Sequence, residues 1–186
     1  SVYCFNDAFD AEKDRTHPVK RHRPVASGAV SVSAAITLGI FLAIVAVILG
    51  LIIDMGVFLV FVCYLLLQVC YNGGAKYLVL VDVVVIAIGF VLRAAAGAYA
   101  IDIKLSVWLL LCVFFLCLYL GFIKRLCDFS SAQREANSTW RSPAGYDNAL
   151  ELNWLLGISA VMSVMMYLTY ALSPHAAHLF GARAVG

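Results

Sequence analysis

Residues 33–53 read SAAITLGIFLAIVAVILGLII, a stretch of twenty-one positions without one charge. A hydrocarbon core of about 30 Å takes roughly 20 helical residues at about 1.5 Å each, so this run alone spans a bilayer. Four more runs read the same way: Met55 to Asn72, Val79 to Ile101, Leu105 to Ile123 and Leu150 to Leu172. They are continuously apolar rather than alternating, which argues against a β-barrel. The expected fold is all-α, a polytopic transmembrane helix bundle of five full helices, and Ser1 to Phe5 reads as the end of a sixth. Apolar residues make up 63% of the 186, which is the composition of an integral membrane protein.

The chain starts without Met and inside an apolar turn, so it is expected to be a fragment, one domain over residues 1–186 truncated at both ends. Cys4, Cys63, Cys70, Cys112, Cys117 and Cys127 lie mostly within the apolar runs without a CxxC pair, and read as small hydrophobes. A net charge of +2 is too small to imply nucleic acid, so the placement of the charges carries the information.

If the segment after Asn6 lies on the cytoplasmic face, alternation puts Lys13, Arg15, Lys20, Arg21, Arg23, Lys76, Lys124, Arg125, Arg134 and Arg141 on that face. Only Lys104 and Arg183 fall outside, with Arg93 inside a helix. Such a bias fixes orientation. The polar segments 6–31, 73–78 and 124–148 then share one face, and the long polar loops there are the expected seat of chemistry.

The first of these segments is charged at half of its positions from Asn6 to Arg23, in a chain that is only 13% charged. Within NDAFDAEKD, Asn6, Asp7, Asp10 and Asp14 fall on one broad face of a helix. Carboxylates at that spacing repel unless a cation sits among them. Oxygen ligands at a membrane boundary suit Mg²⁺, which binds through a few carboxylates together with substrate phosphates. The plainer alternative is a solvated helix end with incidental acids. RTHPVKRHRPVASG follows, with Arg15, Lys20, Arg21 and Arg23 around two prolines. A basic loop after a membrane helix can be a positive-inside signal alone, but beside carboxylates its arginines can also supply counter-charge to phosphate oxygens.

Asn6, Asp7, Asp10 and Asp14 as NDxxDxxxD, then HRP at His22 to Pro24 and Gly28, resemble the first signature of the UbiA superfamily of intramembrane prenyltransferases. YNGGAK, with Tyr71 and Lys76, resembles its Tyr-x4-Lys segment. On that alignment the chain runs from the end of helix two through helix seven of the usual nine. Most members carry a second acidic motif, roughly DxxxD, after helix six. Here FIKRLCDFSSAQRE offers Lys124, Arg125 and one acid, Asp128. That segment and VLRAAAG at 91–97 resemble the decaprenyl-phosphate phosphoribosyltransferase branch, with Asp128 standing where Glu is usual.

The resemblance implies Mg²⁺-dependent transfer of 5-phosphoribose from phosphoribosyl diphosphate to a polyprenyl phosphate, with release of diphosphate. Asp7, Asp10 and Asp14 would hold the metal. Asn6, Arg23, Tyr71, Lys76, Lys124, Arg125 and Asp128 would bind substrate, the cations facing the 5-phosphate or the lipid phosphate. For Lys124 and Arg125 an ordinary basic anchor at a helix end is the alternative. The expected setting is the bacterial plasma membrane, with the active site on the cytoplasmic face and no nucleic-acid partner, and a homo-oligomer stays open. Competing functions are prenyl transfer from a prenyl diphosphate to an aromatic acceptor, and an inactive fragment or transporter.

Asp82 and Arg93 share one face of the helix that carries them, about 16 Å apart along its axis, too far to pair. An arginine at that depth should face a wet cavity or a polar contact between helices. Asp54, Asp102 and Lys104 read as solvated, and His175 and His178 lack a third ligand nearby.

Overall fold

The computed structural model describes residues 1–17, 19–78, 80–134, 149–174 and 176. Pro18, Val79, Arg141, His175, His178 and Arg183, and the side chain of Arg134, lie outside what it describes. The described residues form helices and turns, and five of the helices are long and apolar enough to cross a membrane. The chain divides into two compact units, Ser1–Asn72 and Gly73–Gly186.

The first unit holds α1 (Val2–Phe9), α2 (Ala11–Arg15), α3 (Val32–Ile53) and α4 (Met55–Asn72). The acidic motif is not one unbroken helix, although Asp7 and Asp14 stay on one side of it. The helix breaks at Asp10, whose φ of −94° and ψ of 3° fall outside the helical well. Three carboxylates at i, i+3 and i+7 disfavour an unbroken helix, and Asp is a poor interior residue. The break is shallow, because the Asp10 amide still donates to the Asn6 carbonyl and the Asp14 amide to the Asp10 carbonyl.

After α2 the chain turns through a 3-10 segment, Lys20–His22, started by His17, whose Nδ1 accepts from the amides of Val19 and Lys20. Gly28 has φ +83°, a left-handed conformation that side chains rarely adopt. Ala11, Val25 and Ala35 form a small buried core flanked by Ala8, which fixes the returning loop against the acidic helices and the start of α3. Ser31 caps α3, its Oγ accepting from the Ala34 amide. A side chain at Gly39 would press on the Phe5 ring at 3.1 Å, so glycine lets α1 lie close on α3. The α3–α4 hairpin turns at Asp54. That residue was expected to be merely solvated, yet its Oδ1 accepts from the Gly56 amide at 2.6 Å and so satisfies a donor at the start of α4.

The second unit holds a 3-10 turn, Ala75–Tyr77, then α5 (Val81–Ala100), α6 (Val107–Arg134) and α7 (Ala149–Ala171). Its core is built from Val83, Ala87, Leu118, Phe122 and Leu152, drawn from all three helices. Gly121 of α6 faces Val83, and an added Cβ there would collide with the valine side chain. A second correction concerns α6, because the polar residues from Lys124 to Arg134 continue the helix instead of starting a loop. The apolar pattern ends at the membrane boundary, but nothing there breaks helical hydrogen bonding: no Pro or Gly occurs until Pro143.

Candidate active site

In the first unit, Asp7 and Asp14 lie seven positions apart, two turns of helix, and project to the same side across the break at Asp10. The loop core at Val25 brings Arg23 over them. One guanidinium nitrogen, Nη1, donates to Asp7 Oδ1 at 3.1 Å and to Asp14 Oδ2 at 2.9 Å. Asp14 is buried, while Arg23 keeps 40% of its side chain exposed. Two carboxylates against one guanidinium leave that three-group cluster with a net negative charge, and half-buried Asp10 lies at the helix junction between them. Nearby on α1, Asn6 Oδ1 is buried and has no hydrogen-bond partner among the described residues.

The donor set suits a hard divalent cation: carboxylate oxygens, one uncommitted amide oxygen and an excess of negative charge. Among the described residues no three His, Cys, Asp or Glu side chains are gathered as a ready metal cluster, and Asp7 and Asp14 are closed on Arg23. The residues therefore fit a metal in chemistry, with an arginine between the two carboxylates. Tyr71 lies half-buried in the last turn of α4.

The remaining expected residues belong to the second unit. Lys76 sits in the 3-10 turn with its ammonium 5.4 Å from the Tyr77 ring centroid, a cation–π contact. Lys124 is exposed on α6 and makes no ion pair with another described residue. Its neighbour Arg125 is committed elsewhere. Nη2 lies 2.6 Å from Asp82 Oδ2, and Nη1 lies 3.4 Å from Asp128 Oδ2 one turn along α6. Asp82 is fully buried and the Arg125 side chain is 12% exposed.

The sequence reading left Asp82 without a partner. The signal was present in a general form, because a carboxylate inside a membrane helix requires a cation, and Arg125 is the one its helix neighbour supplies. Arg93 does not meet Asp82; its Nε donates to the Gly89 carbonyl at 3.2 Å and its guanidinium lies over the Phe90 ring at 4.6 Å.

These features have relatives. The chain matches the family described as the UbiA prenyltransferase family over residues 1–185. It is 34% identical over 173 residues to a decaprenyl-phosphate phosphoribosyltransferase of Mycolicibacterium smegmatis, covering 93% of this chain and 54% of that protein. A protein of the same name from Corynebacterium glutamicum is 33% identical over 178 residues, with 94% and 54% covered. The chain thus spans about half the length of the curated relatives it matches. In fold it resembles a solved UbiA homolog from Archaeoglobus fulgidus bound to Cd²⁺, with a TM-score of 0.75 at 14% identity over 99% of this chain and 66% of that one. With five membrane-length helices and a family match from end to end, the chain is an integral, multi-pass membrane protein of the UbiA prenyltransferase family.

Proposed function

We propose that the protein transfers 5-phosphoribose from phosphoribosyl diphosphate to a polyprenyl phosphate, at the cytoplasmic face of a bacterial plasma membrane. The observation that carries this reading is the contrast between the two polar clusters. One holds an excess of carboxylate around Asp7, Asp10 and Asp14. The other has Lys124 and Arg125 where most members carry a second acidic motif. A donor with a diphosphate at one end and a separate phosphate at the other calls for one metal-binding cluster and one cationic cluster. A prenyl diphosphate has no phosphate separate from its diphosphate to occupy the latter. The relatives named for this activity support the same choice.

Asp7, Asp10 and Asp14 would hold Mg²⁺, with the buried Asn6 amide oxygen available as a further oxygen donor. When bound, the metal would supply Lewis-acid stabilisation of the departing diphosphate. The chain's own part is to orient and neutralise. Arg23 is a two-pronged donor within side-chain reach of that cluster and can hold diphosphate oxygens. Lys124 and Lys76 are the cations suited to the 5-phosphate or the lipid phosphate, whereas Arg125 acts from a fixed position set by Asp82 and Asp128. A polyprenyl phosphate is already an anionic nucleophile, so no strong general base is needed.

The test incubates membranes bearing the full-length protein with Mg²⁺, labelled phosphoribosyl diphosphate and polyprenyl phosphate. Lipid-linked label is expected. Its absence, alongside transfer from a prenyl diphosphate to an aromatic acid, would establish the competing activity. Asp10→Ala is expected to lower turnover at least about 100-fold while membrane insertion is unchanged, since it removes charge from the leaving-group site. Retained turnover would refute the metal role.

A further inference from the structure

The contact between Arg23 and its two carboxylates has a direction of exchange built into it. Nη1 occupies the space between Asp7 Oδ1 and Asp14 Oδ2, at 3.1 and 2.9 Å, which is where a cation shared by those oxygens would sit. The guanidinium brings one positive charge to a cluster that holds more than one negative charge, so a divalent ion neutralises it better. Its side chain is 40% exposed and can swing out, and its backbone is anchored independently. The Arg23 carbonyl accepts from the Ser27 amide at 2.8 Å, and Val25, two residues on, is buried in the loop core. Arg125 in the second unit has the same two-carboxylate arrangement without this freedom, being only 12% exposed against a fully buried partner.

We propose that Arg23 is a tethered counterion, a positioning residue that holds Asp7 and Asp14 together until a divalent cation displaces it, so that guanidinium and metal compete for the same two carboxylates. The inference rests on the metal-site reading of Asp7 and Asp14 given above. It assigns Arg23 a role before any substrate arrives. Without a cation of some kind, the buried carboxylate of Asp14 would face Asp7 with nothing to offset their repulsion. With Arg23 in place the cluster stays assembled, at the cost of weaker metal binding.

The experiment measures Mn²⁺ binding by electron paramagnetic resonance to the full-length protein in lipid nanodiscs, with no donor present. R23Q is expected to bind Mn²⁺ about threefold to tenfold more tightly than the unaltered protein, the range of a partly screened ion pair. R23K keeps the charge but loses the fork, and should fall between the two, which keeps the test alive if R23Q does not fold. D14N identifies the site by abolishing the bound signal. Equal or weaker Mn²⁺ binding in both Arg23 variants overturns the competition and leaves the metal reading standing. No D14N-sensitive binding in any of them overturns both.

Discussion

Each unit of this chain holds an arginine between two carboxylates, and the two arrangements sit in opposite surroundings. In the first, Arg23 bridges Asp7 and Asp14 from a loop, and water reaches the guanidinium. In the second, Arg125 reaches Asp82 on α5 and Asp128 on its own helix, and water is nearly excluded from the Arg125–Asp82 pair. The same three groups therefore do different work. An ion pair open to solvent contributes little to stability and exchanges readily, while a buried pair contributes little net stability but is very costly to break. The exposed clamp suits a site that must accept a ligand, and the buried one suits a fixed joint between helices.

The sharpest way to break this contrast is Asp82→Ala, which leaves Arg125 buried against a single, weaker partner. A loss of about 3 kcal/mol or more is expected, measured by unfolding in mixed micelles. The double change Asp82→Ala with Arg125→Met should recover part of that loss, because no uncompensated charge then remains. A smaller effect, about 1–3 kcal/mol by the same assay, is expected for Gly121→Ala, which pushes Val83 out of the position that lets α5 and α6 approach beside the clamp. Least affected should be the stability of Arg23→Gln measured with a divalent cation present to neutralise buried Asp14, a change of about 1 kcal/mol or less after solvent screening, even though its metal affinity moves. If Arg23→Gln destabilised the protein as much as Asp82→Ala, the distinction between an exchangeable and a fixed clamp would fail.

The spans were legible because lipid permits few alternatives: an unbroken apolar run must satisfy its backbone internally, and helices do so. Met55–Asn72 matches its expected limits, and α3, α5 and α7 begin and end within two residues of theirs. The far end of α6 was misread because hydropathy marks the edge of the membrane and not the edge of the helix. At Asp10 the reverse holds: helical spacing is visible in the sequence and keeps Asp7 and Asp14 on one side, but it does not show that the helix breaks between them. The ion pairs were legible only as requirements. The acids of 7–14 and the cations of 15–23 announced opposite charge, but which arginine closes on which acids depends on Val25 burying itself beside Ala11 and Ala35. Asp82 demanded a cation, and only the packing of α5 on α6 shows that Arg125, rather than Arg93, provides it.

The unbroken course of α6 past the apolar stretch gives the molecule a ruler. From Val107 to Lys124 the helix advances about 26 Å, close to the thickness of the hydrocarbon layer, and it continues for a further ten residues. Lys124 is thereby held on a stiff mast about one hydrocarbon thickness from the start of the helix, with no loop needed to position it.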